Sequence, residues 1–84
     1  MKVKILTPEK VIFEGEAEEI NIPTTSGHIS VLNSHTPLVS VISPGEIVLK
    51  TKEGKRIFTN QNGVVQTINS QTSLLLTVCK EKSL

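Results

Sequence analysis

The feature that most limits this chain is its density of β-branched side chains. Val, Ile and Thr occur nine times each, 27 of 84 residues, against a single Ala at position 17. Branching at Cβ crowds the preceding turn of a helix and suits the pleated surface of a strand. Apolar residues alternate with a period of two, and Pro, Gly, Asn and Ser interrupt them at short intervals. Val3, Ile5 and Thr7 share one face of a first strand that stops before Pro8. A second runs from Val11 to Gly15. In a third, Glu18, Ile20 and Ile22 face one way, Ala17, Glu19 and Asn21 face the other, and Pro23 ends the strand because it lacks an N–H for the ladder. Residues 24–28 read as a polar loop, 29–32 as a short apolar stretch, and 33–37 as a polar corner before a strand over 38–42. Ser43-Pro44-Gly45 is a turn, and strands over 46–51 and 56–60 flank a hairpin whose Gly54 supplies a positive φ. Strands over 64–68 and 72–79 follow, and residues 80–84 read as a polar tail. About eight to ten strands with no helix between them fit an all-β fold: a small antiparallel β-sandwich or flattened barrel, one domain over residues 1–84.

Composition excludes several function classes. Nine Lys or Arg against eight Glu leave a formal charge of +1 with no basic run, and Phe13 and Phe58 are the only aromatic residues. Nucleic-acid binding draws on counterion release and on base stacking, and this chain offers little for either. No stretch approaches the 18 apolar residues of a spanning helix, and the first residues lack the apolar core of a signal peptide, so no direct membrane insertion is expected. The one cysteine, Cys79, permits no internal disulfide, which favours a reducing compartment.

The strands carry more apolar side chains than one core face needs. Leu38 and Ile42 oppose Val39 and Val41; Leu74, Leu76 and Val78 oppose Leu75 and Cys79; Val64 and Ile68 oppose Val65. A domain this small has little interior for a second apolar face, so the surplus predicts a contact surface.

Residues able to do chemistry are sparse. His28 and His35 lie seven apart on separate loops, and residues 24–44 contain no carboxylate or cysteine to complete a metal site. The chain has no Asp, which removes a Ser-His-Asp triad, and its Glu residues gather at turns, as solvated edge charges do. Gly54-Lys55 belongs to a hairpin and not to a phosphate loop. Cys79, in an apolar strand without a neighbouring His, reads as a small buried hydrophobe. The sequence predicts neither catalytic residues nor a cofactor or metal.

A more specific signal lies in the order of short motifs: Leu6-Thr7-Pro8-Glu9, Phe13-Glu14-Gly15-Glu16-Ala17-Glu18-Glu19-Ile20, Pro23-Thr24-Thr25-Ser26-Gly27-His28-Ile29, Val31-Leu32, His35-Thr36-Pro37-Leu38-Val39, Pro44-Gly45 and Gly63-Val64-Val65. Together they resemble the amino-terminal β-sandwich domain of the epsilon subunits of F-type rotary ATP synthases, over essentially the entire chain. The family usually has a second Gly where Ser30 stands, and a Pro-Gly or Pro-Asn pair where this chain has Asn33-Ser34. The resemblance implies a non-catalytic subunit of the central stalk. Such a subunit packs on gamma and on the ring of c subunits, with the catalytic head as a further neighbour, and passes ion-driven rotation on to ATP synthesis. Carried over by position, Gly27 and His28 correspond to the loop facing the c ring, and His35 and Pro37 to the loop near gamma. The implied location is the cytoplasmic face of the bacterial plasma membrane, as a peripheral protein. Most relatives continue into a two-helix hairpin that restrains ATP hydrolysis; the sequence given stops at Leu84, and the expectation is a chain without that hairpin.

Two other readings compete. A lipoyl or biotinyl carrier domain presents a lysine at a hairpin tip, where Lys52 and Lys55 stand, but the usual Met-Lys-Met surround is missing. A five-stranded nucleic-acid-binding barrel is disfavoured by charge and by the shortage of aromatic residues.

Overall fold

The computed structural model describes residues 1–32 and 37–82. The strands are β1 (Lys2–Leu6), β2 (Val11–Glu16), β3 (Glu19–Thr24), β4 (Gly27–Leu32), β5 (Leu38–Ile42), β6 (Gly45–Thr51), β7 (Gly54–Asn60), β8 (Gly63–Ile68), β9 (Gln71–Leu76) and β10 (Cys79–Lys82). They pair in the order β10-β7-β6-β3-β5-β8-β9-β1-β2, with β4 on the other side of β3. The step from β3 to β5 is a single residue pair, Thr24 with Ile42, so the sheet folds there into two layers. One layer holds β10, β7, β6, β3 and β4; the other holds β5, β8, β9, β1 and β2. The all-β, ten-stranded sandwich agrees with the sequence.

Alternation sorts each strand into an inner and an outer face. Val3 and Ile5, Ile20 and Ile22, Ile47 and Leu49, and Leu74 and Leu76 are buried, and Phe58, Val65 and Ile42 join them in one core. The two phenyl rings meet edge to face across the layers, Phe13 on Phe58, with centroids 6.2 Å apart. Two inward threonines, Thr67 and Thr72, satisfy one another inside the core with hydroxyls 3.0 Å apart.

Two hairpins use one device. In Thr24-Thr25-Ser26-Gly27 and in Thr51-Lys52-Glu53-Gly54 the threonine hydroxyl donates to the glycine carbonyl, at 2.6 and 2.9 Å, and accepts the N–H two residues on, at 3.2 Å in both. Each closing glycine has a positive φ, 114° at Gly27 and 125° at Gly54, which a Cβ would strain.

Four local expectations are corrected. Pro23 lies within β3 and does not end it. Its carbonyl accepts from Ser43 N, so its ring nitrogen faces the gap between the β6 pairing, which stops at Asn21, and the β5 pairing, which begins at Thr24. No ladder bond is required there. Ala17 does not belong to β3 on the face of Glu19 and Asn21 but is buried at the corner after β2, where it exchanges backbone hydrogen bonds with Met1. The stretch 72–79 is two strands, because the chain crosses between layers at Thr77-Val78, and residues 80–82 of the supposed tail join Cys79 in β10 against β7. Finally, β1 pairs parallel with β9 while the other pairs are antiparallel, a long-range choice that no local turn dictates.

Candidate interaction surface

Strand register decides which exposed apolar residues meet. Val41 lies opposite Val64, Val64 opposite Leu75, Leu75 beside Leu6, and Leu6 opposite Val11. All five point away from the core, so they form one row across the outer face of β5, β8, β9, β1 and β2. At about 4.8 Å per strand, four steps make this row roughly 19 Å long. Val41, Leu75 and Val11 are each half exposed, and Val39, beside the row on β5, is 70% exposed.

The next row on this face grades from neutral to charged: Gln66, Ser73, Lys4 and Glu14 lie in register behind Val39, and Lys4 stands 4.0 Å from Glu14. An apolar centre with charge pushed to one margin is the anatomy of a protein contact, whereas scattered exposed hydrophobes are ordinary. The outer face of the other layer differs. It carries Lys50 paired with Glu19 at 3.4 Å and Lys82 paired with Glu46 at 2.9 Å, as a solvated face does.

Of the residues singled out by sequence, Gly27, His28 and Pro37 lie in described segments. Gly27 and His28 begin β4, in a hairpin and not in an open loop, and both are exposed; His28 pairs with Pro23. Thr25, at the tip of that hairpin, donates its N–H to Val41 O at 3.1 Å, which ties the tip to the end of the row. Pro37 is exposed and leads directly into β5, the strand of Val39 and Val41. His35 lies outside the described residues. The sequence pointed to surplus apolar residues on the strands of Val41, Val64 and Leu75 but not to Leu6 or Val11; the alignment of all five into one row follows from the pairing of distant strands.

No three His, Cys, Asp or Glu side chains among the described residues converge as a metal would require, and no helix there is long and apolar enough to cross a membrane. Cys79 is buried, and burial, with the nearby Glu81 charge, pushes its thiol pKa up, away from a reactive thiolate.

The model of the ATP synthase delta/epsilon chain β-sandwich domain matches residues 1–80. The chain belongs to that family. It is 35% identical over 82 residues to an ATP synthase epsilon chain of Ruminococcus albus, covering 98% of this chain and 61% of the relative. It is 37% identical over 76 residues to one of Clostridium novyi, covering 89% and 57%. It thus spans about three fifths of the length of these relatives. Among solved structures, a chain of the Euglena gracilis mitochondrial ATP synthase OSCP/F1/c-ring assembly superposes with a TM-score of 0.87 at 18% identity, over 94% of this chain and 51% of that one. A chain of the Tetrahymena thermophila mitochondrial ATP synthase central stalk and c ring gives 0.80, also at 18%, over 95% and 65%. At that identity the likeness shows the fold alone. Membership of this sandwich family leaves neither the carrier nor the nucleic-acid reading with support.

Proposed function

We propose that this chain is the sandwich portion of a non-catalytic rotor subunit of an F-type ATP synthase, and that it docks on gamma through the row Val41, Val64, Leu75, Leu6 and Val11. The observation that carries the reading is the register-aligned apolar row that runs across all five strands of one layer, in a chain whose relatives are named ATP synthase epsilon chains. Burying half-exposed Val and Leu side chains against a partner contributes about 25 cal/mol for each Å² removed from water, and the row supplies a continuous strip for it.

The hairpin tip with Gly27 and His28 then faces the c ring, and Pro37 with His35 lies near gamma. Two observations support this placement: the Thr25 to Val41 hydrogen bond sets the tip at one end of the row, and Pro37 feeds the strand at that end. A body of 29 × 28 × 23 Å with a close-packed interior deforms little under load, which suits a wedge that carries torque between a rotating ring and a shaft. No bond need form or break in this subunit. Its place is peripheral, on the cytoplasmic face of the bacterial plasma membrane, with the catalytic head as a further neighbour.

Reconstitution tests the reading. Added to an ATP synthase depleted of its own epsilon subunit, the chain is expected to co-purify with gamma and raise the ATP made per ion translocated, with no ATPase activity of its own. A complex that assembles and couples fully without it would contradict the proposal.

A further inference from the structure

The strand β10 is attached differently from every other element of the core. It has four residues, pairs only with β7, and buries only Cys79. Lys80, Glu81 and Lys82 are exposed, so hydrophobic burial contributes little beyond its first residue. Beyond the four-residue backbone ladder with β7, its exposed side chains are held by charge. The Arg56 guanidinium donates two hydrogen bonds to the Glu81 carboxylate, from Nε at 2.7 Å and from the terminal nitrogen Nη2 at 2.8 Å, and Lys82 Nζ reaches Glu46 at 2.9 Å.

Arg56 also stacks over two rings, 4.7 Å from the Phe13 centroid and 5.8 Å from that of Phe58. It therefore joins β2 of one layer to β7 and β10 of the other at the edge where the sandwich does not close. The corner before β10 is fixed separately: Thr77 donates its N–H to Asn62 O at 3.1 Å and its hydroxyl to Asn62 Oδ1 at 2.6 Å. A fixed corner followed by a short strand held by charge has the construction of a hinged strap.

We propose that β10 is an ionically latched strap that swings off β7 about the Thr77–Asn62 corner while the remaining strands stay folded. Release uncovers the Cys79 side chain and frees the edge of β7 over residues 57–60, whose backbone groups then lack their partners. The strap lies on the layer opposite the apolar row, so this inference does not rest on the docking role. Charge pairs at an accessible edge weaken as ions screen them, whereas the buried core does not depend on them.

Cys79 is a built-in reporter, since it is the one thiol of the chain and reacts only when β10 lifts. The test measures labelling of the full chain by N-ethylmaleimide, an uncharged reagent, as NaCl rises from about 0.05 to about 0.5 M, where the screening length shortens from well above to well below 10 Å. Global stability is followed by urea unfolding at each salt concentration. Labelling is expected to accelerate with salt, and in Glu81→Gln to run about two- to fivefold faster than in the wild type, a range set by the worth of a half-exposed bidentate pair. The wild-type urea midpoint stays nearly constant with salt, and amide exchange rises over residues 79–82 but not in β9. Labelling that tracks global unfolding at every salt concentration, with no excess in Glu81→Gln, would overturn the proposal. Should that variant fail to fold, the wild-type salt series decides alone.

Discussion

A methyl group added at Gly63 would overlap the backbone carbonyl of Leu75 and lie 2.7 Å from a Leu76 methyl. This glycine is required by close approach of two strands and not by a positive φ, so Gly63→Ala must push β8 away from β9. We expect it to destabilise the fold by about 2–3 kcal/mol, read from the urea midpoint, because backbone cannot yield as a flexible side chain does. A second residue-scale effect depends on pH. The hydrogen bonds from Arg56, more than its charge, hold the Glu81 carboxyl below its ordinary value of 4.5. A carboxylate whose pKa is depressed on folding stabilises the fold above its unfolded pKa, and that contribution fades as the pH falls through the folded value. Both partners are about 40% exposed, so the loss stays under about 1 kcal/mol. Stability curves of the wild type and Glu81→Gln should therefore separate near neutrality and converge in acid well below pH 4.5.

At the scale of the element, the paired Thr-x-x-Gly hairpins provide an internal comparison. Thr24 is buried and Thr51 half-buried, yet both make the same two hydrogen bonds. Thr24→Ala should cost about 1–2 kcal/mol and Thr51→Ala about half as much, because losing a buried partner leaves the Ser26 N–H harder to satisfy than the water-accessible Glu53 N–H. These hairpins show what was legible in the chain: Gly54 between two alternating strands announced its turn. Alternation likewise put Ile20 with Ile22, and Leu74 with Leu76, on common faces and showed apolar residues on both faces of the strands around Val41, Val64 and Leu75, without saying which face is interior. Three features stayed hidden for physical reasons. Strand β10 is Cys-Lys-Glu-Lys, without an apolar rhythm, and forms through backbone pairing and an ion pair with Arg56, 25 residues away in sequence. Pro23 could be placed inside β3 only by knowing where its two neighbouring pairings stop and start. The parallel β1–β9 pair, and with it the step from Leu75 to Leu6, links residues about 70 apart in the chain.

The whole molecule is a two-layer body with one outer face that mixes ion pairs with Leu32, Val48 and Ile57 and one that carries an exposed apolar row across five strands, and the proposed docking depends on that difference. Family membership fixes the fold; the row gives the proposed contact its physical content. The reading is tested most directly by placing charge in the row and measuring what the chain holds. Val64→Lys and Leu75→Lys, made separately and compared with Val48→Lys on the opposite layer, should all keep the wild-type urea midpoint to within about 1 kcal/mol, since none of the three side chains belongs to the buried core. In a binding assay with purified gamma, the two row variants should lose at least tenfold in affinity while the Val48 variant binds as the wild type does. Undiminished binding by both row variants, or an equal loss in all three, would contradict the claim that this row is the docking surface.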